Sequence, residues 1–285
     1  MFLVTKPAGP TSHDVVDRAR RALGTTRVGH LGTLDPFAEG LLVLVTGPAT
    51  RLATFASAWT KRYEGTARLG VATDTDDASG RPLATSETWR ELDRSAVERG
   101  LGRLSGVQEQ RPPAYSAVKV AGERAYKRAR RGEVVEPAAR RVDVLELALT
   151  RWAPPDFDFR AIVSSGTYVR SLIRDLGQAL GCGAHLTRLV RTAVGPFRLA
   201  DASPAEGLTA AAAHGPEVLV AGLPRRDLTP AERAAVAHGR AVPAAGAPDG
   251  PQVALFAQGA LVAVAERAER DGVAVLKPRV VVAEA

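Results

Sequence analysis

A single cysteine, Cys182, stands in 285 residues, which excludes an internal disulfide and a metal site built from thiolates alone. No stretch approaches the ~20 consecutive apolar residues that a bilayer-spanning helix needs. The opening Met1-Phe2-Leu3-Val4-Thr5-Lys6 has neither the basic start nor the long apolar core of a secretory signal. A soluble cytoplasmic protein without a membrane partner is expected. There is no Gly-x-x-x-x-Gly-Lys-Ser/Thr loop, and Gly181-Cys182-Gly183 lacks the third glycine of a dinucleotide fingerprint. The five histidines, His13, His30, His185, His214 and His238, show no His-x-x-x-His spacing, which argues against zinc. Asp74, Asp76 and Asp77 cluster, but the pattern breaks at Ala78 and has no later glutamate of a calcium loop. A hairpin turn with solvated acids is expected there, and no metal. Cys182, between glycines and without a basic neighbour to lower its pKa, is read as structural.

What the chain does have is ordinary globular usage, with 45% hydrophobic and 24% charged residues, and a net charge of +7. Most of that charge sits in one stretch. Between Arg111 and Arg141 nine basic residues face three acidic ones, Glu123, Glu133 and Glu136, for a local excess of +6. Such a block on an otherwise balanced protein is the footprint of a polyanion binder or simply a solvated basic face. The length suits one large domain and a small one.

The local patterns divide the chain at about Leu223-Pro224. Before it, Phe2-Leu3-Val4 reads as a strand, and Thr11-Ser12 caps a helix through Val15, Val16, Ala19, Ala22 and Leu23 that Gly24 closes. A glycine-rich loop from Gly29 to Gly40 precedes Leu41–Val45, an unbroken apolar run typical of a buried strand. Tyr63–Leu69 and Phe157–Val163 alternate as half-buried strands. Thr167 is placed to cap a helix carrying Val169, Leu172, Ile173, Leu176 and Leu180. After the boundary, Thr229-Pro230-Ala231-Glu232 is a capping box for a helix that stops at Gly239. Four short β-rich runs follow, at Val253–Ala257, Ala260–Ala265, Val273–Leu276 and Val280–Val282, with Gln258-Gly259 and Asp271-Gly272 as hairpin turns. A small β-barrel or sandwich is expected.

The loop Gly29-His30-Leu31-Gly32-Thr33-Leu34-Asp35-Pro36 holds the most unusual carboxylate. Its glycines permit close backbone approach, and Asp35 precedes a proline that restricts it to extended geometry. Asp-Pro is equally a common helix start, so the loop alone leaves both readings open. The whole segment Gly29-His30-x-Gly32-Thr33-Leu34-Asp35-Pro36-x-Ala38-x-Gly40, however, resembles the catalytic motif of the TruB-type tRNA pseudouridine synthases. Further blocks agree in order. They are Lys6-Pro7-x-Gly9-x-Thr11-Ser12, Lys61-Arg62-Tyr63-Glu64 with Thr73-Asp74-Thr75, Arg111-Pro112-Pro113-x-Tyr115-Ser116-Ala117-x-Lys119, Ser165-Gly166-Thr167-Tyr168-x-Arg170 and Gly181-Cys182-Gly183-Ala184-His185-Leu186-x-x-Leu189.

The resemblance implies an α+β fold. Residues 1–223 would form a catalytic domain on a mixed, largely antiparallel sheet, with the basic segment at about 111–141 as a thumb-like insertion. Residues 224–285 would form a PUA-like RNA-binding β-barrel. It implies an isomerase that converts uridine 55 in the tRNA T arm to pseudouridine, a monomer needing no cofactor. Asp35 matches the family's essential aspartate, Arg170 its charge partner, and Tyr63 its base-stacking tyrosine, which also assists late proton loss. His30 matches the residue that takes the place vacated by the flipped base, while Tyr168 and Leu189 match residues lining the uracil pocket. Lys6 and Pro7 resemble a structural block behind the catalytic loop. Lys119, Arg124, Lys127, Arg128, Arg130 and Arg131 are expected to meet RNA phosphates. A non-catalytic binder of structured RNA would keep the basic segment and the small β-domain but have no need of Asp35.

Overall fold

The computed structural model describes residues 1–56, 58–120 and 122–282. A ten-stranded sheet forms its larger part. Its main path runs Ser203–Pro204, Phe2–Lys6, Glu39–Thr46, Ala184–Val194, Lys61–Leu69, Asp156–Val163, Arg140–Ala153 and Gly106–Gln110. The first pair of this path and the contact of Ala184–Val194 with Glu39–Thr46 are parallel, and the other pairings are antiparallel. The fold is therefore mixed α+β, as the sequence led one to expect. Val28–His30, within the stretch read as a loop, adds a short strand against Glu39–Thr46.

The two kinds of apolar pattern have different causes. In Lys61–Leu69 every second residue is buried and the intervening ones are mostly exposed, because one face of this half of the sheet meets solvent. In Leu41–Val45 both faces are covered. Leu42 and Leu44, with Phe2 and Val4, pack under helix α1 (Ser12–Leu23), while Leu41, Val43 and Val45, with Leu3, face the C-terminal part. Helix α1 is capped at Thr11 as expected, there in a reciprocal box with Asp14, and ends at a left-handed Gly24. Helices α2 (Arg94–Arg103), α3 (Ala125–Arg130) and α4 (Val169–Ala179) follow. Of these, α2 and α4 close the central core over Phe157, Phe159, Leu69 and Leu186.

The C-terminal part is a five-stranded, curled half-barrel ordered Arg225–Asp227, Gln252–Ala257, Ala260–Arg270, Val273–Val281 and Val242–Pro243, with helix α5 (Pro230–Ala237) packed on it. Both expected hairpin turns form, with Gln258, Gly259, Asp271 and Gly272 all at positive φ. The two runs expected at 273–276 and 280–282 are one strand, continuous through Pro278. A register shift opposite Val264/Ala265 accommodates the proline, which has no N–H to give to the ladder. Ala254, Phe256, Leu261 and Val264 of this sheet share one apolar cluster with Leu3, Leu41, Val43 and Leu52. The core therefore runs across the expected boundary at Leu223-Pro224. Among the described residues no helix is long and apolar enough to cross a membrane.

Candidate active site

Asp35 lies where the chain leaves the Val28–His30 strand and turns back into Glu39–Thr46. No helix follows it. Asp35 and Ala38 instead close a turn around Pro36, with the Ala38 N–H donating to the Asp35 carbonyl (3.1 Å), so the Asp35 carboxylate is free of a capping duty. Arg170 takes it in a forked pair, Nε to Oδ2 at 2.9 Å and Nη2 to Oδ1 at 2.8 Å. The arginine is 3% exposed and the aspartate side chain 29%. The cation is thus sealed, while the carboxylate keeps an open side that a substrate can approach. Arg170 also donates from Nη1 to the Thr75 carbonyl (2.7 Å) and from Nη2 to the Tyr115 carbonyl (2.9 Å), and Asp77 Oδ2 stands 3.7 Å from Nη1. These contacts occupy the planar donor fork and set its orientation from several chain segments.

The expected solvated acids of the 74–77 turn are a correction. Val71–Thr73 and Pro82–Thr85 do form a hairpin, but Asp76 and Asp77 are buried. Asp77 faces Arg170, and Asp76 pairs with Arg174 Nη1 at 3.2 Å. The turn folds inward because the backbone of Asp76 and Ala78 bonds to Leu186 in the Ala184–Val194 strand. Burial pushes the Asp76 carboxyl up to about 6, against the lowering pull of Arg174 and Arg170.

The loop that carries Asp35 is held from below by buried polar side chains. Lys6, fully buried, donates to the carbonyls of Ala38 (2.6 Å), Pro7 (2.9 Å) and Pro36 (3.1 Å). Ser12 Oγ accepts from the Leu34 N–H (2.8 Å) and donates to its carbonyl (3.0 Å). Arg191, 1% exposed, reaches the carbonyls of Leu41 (2.8 Å), Gly32 (3.0 Å) and Thr33 (3.3 Å). Gly40 sits at φ +110° beside the Arg191 backbone, where a Cβ would lie 2.3 Å from the Arg191 carbonyl oxygen. Burial lowers Lys6 from 10.5 to about 8, with Asp35 and Glu39 pulling the other way. Lys61 falls to about 8 through burial and the charge of Arg191. Sequence reading found the Lys6 block but missed Arg191.

Tyr63, Leu34, Val169 and Leu189 belong to one buried cluster, so the expected stacking tyrosine and the expected pocket leucine pack beside the Asp35 loop. His30 is half-buried at the entry to that loop, and burial followed by Arg191 lowers its pKa. Tyr168 lies at the start of α4 under the Arg140 guanidinium, 4.6 Å from its ring centroid. Thr167 is not the cap of α4. The cap position is Tyr168, without a side-chain bond of its own, and Thr167 instead lies 3.3 Å from the Ser164 hydroxyl.

The basic segment leaves the sheet between Gln110 and Arg140, which are paired across two neighbouring strands. It folds on a small core of Ala125, Ala129 and Val135. Lys119, Arg124, Lys127 and Arg130 are exposed, Arg130 standing 5.5 Å from the Tyr126 ring centroid. Arg128 pairs with Glu133 (2.6 Å), and Arg131 pairs with both Glu123 (2.6 Å) and Glu133 (2.7 Å). Among the described residues the six expected phosphate contacts are therefore of two kinds, those without an ion pair and those already paired.

Residues 20–169 match the model of the TruB family pseudouridylate synthase N-terminal domain, and residues 170–235 match the tRNA pseudouridylate synthase B C-terminal domain. The chain belongs to the TruB family. The tRNA pseudouridine synthase B of Thermobifida fusca is 48% identical over 277 residues, covering 93% of this chain and 94% of its own. That of Mycolicibacterium paratuberculosis is 46% identical, covering 98% and 97%. A crystal structure of a Cbf5–Nop10–Gar1 complex superposes with a TM-score of 0.69 at 27% identity, over 98% of this chain and 84% of that one. As a TruB-family enzyme the protein is a pseudouridine synthase, an isomerase with an RNA substrate. The Asp35–Arg170 pair joins the two matched regions, since Asp35 lies in the first and Arg170 opens the second.

Proposed function

We propose that this synthase isomerises uridine 55 in the T arm of tRNA, with Asp35 as the essential carboxylate. The single observation that carries the reading is the forked Asp35–Arg170 pair, a buried cation holding a half-open carboxylate. The reaction breaks the N1–C1′ bond, turns the uracil and joins C5 to C1′, and the proton lost from C5 is balanced by one gained at N1. Nothing is oxidised or reduced, and one ionised carboxylate in a pocket that excludes water suffices to assist it. Burying a carboxylate without an opposite charge is costly, and Arg170 supplies that charge.

The target nucleotide has to leave its stack to reach Asp35. Tyr63 offers the stacking face, Tyr168 and Leu189 line the uracil pocket, and His30 fills the space the base leaves. Lys119, Arg124, Lys127 and Arg130 meet phosphates, which position the RNA without reading its sequence. The protein works as a monomer in the cytoplasm, without a cofactor. Its C-terminal half-barrel contacts tRNA away from the T loop.

The test is a T-arm RNA hairpin incubated with wild type and with Asp35→Asn, which keeps the shape but not the charge. Pseudouridine should be absent with the variant, while RNA affinity stays within about tenfold, or about 1.4 kcal/mol. Pseudouridine formed at a substantial rate by Asp35→Asn would refute the assignment. Modification of another uridine with position 55 untouched would refute the target.

A further inference from the structure

Helix α4 begins with an electrostatic disadvantage. Its cap residue, Tyr168, supplies no side-chain acceptor, and its second residue, Arg170, is a cation at the positive end of the helix dipole. Tyr168 itself is held from 58 residues away. Gln110, 1% exposed, accepts the Tyr168 N–H at Oε1 (2.8 Å) and donates from Nε2 to the Tyr168 carbonyl (3.1 Å). Only this orientation of the amide satisfies both groups, so the side chain acts as one rung of a strand ladder laid on Tyr168.

Gln110 is also the last sheet residue before the basic segment leaves, and Arg140, where it returns, is its cross-strand partner. Arg140 covers the Tyr168 ring and donates to the Gly166 carbonyl. The next stem residue continues the attachment, because the Arg111 carbonyl accepts from Ser171 Oγ (2.9 Å) and Arg174 Nη2 (2.9 Å). Further along, Tyr115 offers its carbonyl to Arg170 itself. The stem of the insertion and the residues that orient Asp35 are thus one hydrogen-bonded unit.

We infer that Gln110 is a positioning residue that ties the stem of the RNA-contacting insertion to Tyr168 and Arg170, setting the register of the Asp35–Arg170 fork when RNA engages the insertion. This rests on the reading of Asp35 and Arg170 given above, but it fails separately. That reading falls if Asp35→Asn is active, whereas this inference falls on Gln110 variants alone.

The experiment measures tRNA affinity and the single-turnover rate of pseudouridine formation for Gln110→Met and Gln110→Glu, each first shown to unfold cooperatively. Gln110→Met removes both bonds at nearly constant volume. Its rate constant should fall about tenfold or more, since each neutral hydrogen bond is worth about a fewfold to tenfold. Its Kd should stay within threefold. Gln110→Glu can donate to the Tyr168 carbonyl only while protonated. Its rate relative to wild type should therefore rise as pH is lowered through the range where the new carboxyl titrates, which burial raises and the nearby Arg140 and Arg170 lower. A merely structural role would not produce that recovery. The inference is overturned if folded Gln110→Met reacts within threefold of wild type, if its rate loss tracks its Kd, or if the relative rate of Gln110→Glu is flat with pH. Where Gln110→Met does not fold, the pH profile of Gln110→Glu alone decides.

Discussion

Replacing Arg170 by lysine keeps the charge and removes the fork, which isolates what orientation contributes. The arginine makes two charge-assisted bonds to Asp35 and two more to the carbonyls of Thr75 and Tyr115. A lysine ammonium is a point donor on a flexible stem and cannot reach both Asp35 oxygens and both carbonyls together. At best it retains one bond to the carboxylate. The loss toward Asp35 is then one hydrogen bond to a charged group, about 1.5–3 kcal/mol. If that bond fixes the carboxylate in the transition state, the rate constant falls by about tenfold to about 150-fold. RNA affinity should change little, because at 3% exposure Arg170 has no surface to offer a phosphate. The assay is single-turnover pseudouridine formation with excess enzyme on a T-arm hairpin, beside a binding measurement and a thermal transition. A folded Arg170→Lys within twofold of wild type would refute the reasoning, as would a loss that appears only in RNA affinity.

Two further outcomes follow from the same contacts. Burial holds Lys6 at about 8 in the folded protein against 10.5 ordinarily, so its contribution to stability is full above the higher value and is lost as pH falls through the lower. Denaturant titrations across that window should show wild type gaining up to about 3 kcal/mol relative to Lys6→Met; activity should fall over the same window, because a neutral amine has two N–H groups for three carbonyls, and parallel curves for the two proteins would sink the argument. In the basic segment, alanine at Lys119, Arg124, Lys127 and Arg130 should flatten the log–log salt dependence of tRNA binding by up to about 3, whereas alanine at Arg128 and Arg131, already paired with Glu123 and Glu133, should change it by less than about 1. Equal slopes for the two sets would show that the internal ion pairs open on binding.

The parts of the site that could be read in the sequence are those whose signal is local. The Thr11 cap and the alternation in Tyr63–Leu69 each fit within a dozen residues and form where their patterns indicate, and the Asp35 block is equally compact. What escaped reading acts at long range through groups that carry no sequence signature. Arg191 lies in a strand as one arginine among several, and its partners are backbone carbonyls about 150 positions away. Gln110 is a polar residue at the end of an edge strand until its amide is seen to hold both backbone groups of Tyr168. Asp76 and Asp77 look like solvated turn residues because their burial depends on how the hairpin docks on Leu186, not on the hairpin itself.

The C-terminal half-barrel shows the same limit from the energetic side. Its turns and its capping box are legible in the sequence, and they place a boundary near Leu223-Pro224. Yet Phe256, Leu261 and Val264 lie in the same cluster as Leu3, Leu41 and Val43, on the face of Glu39–Thr46 opposite α1. The unbroken run Leu41–Val45 already implied a cover on both faces, and the half-barrel supplies the second cover. Strand Glu39–Thr46 begins at the end of the Asp35 loop, and Arg191 grips its Leu41 carbonyl. Removing the half-barrel would therefore expose apolar surface directly behind the carboxylate's support, at about 25 cal/mol for each Å² bared. The C-terminal part then covers the back of the strand on which the support of the Asp35 loop rests.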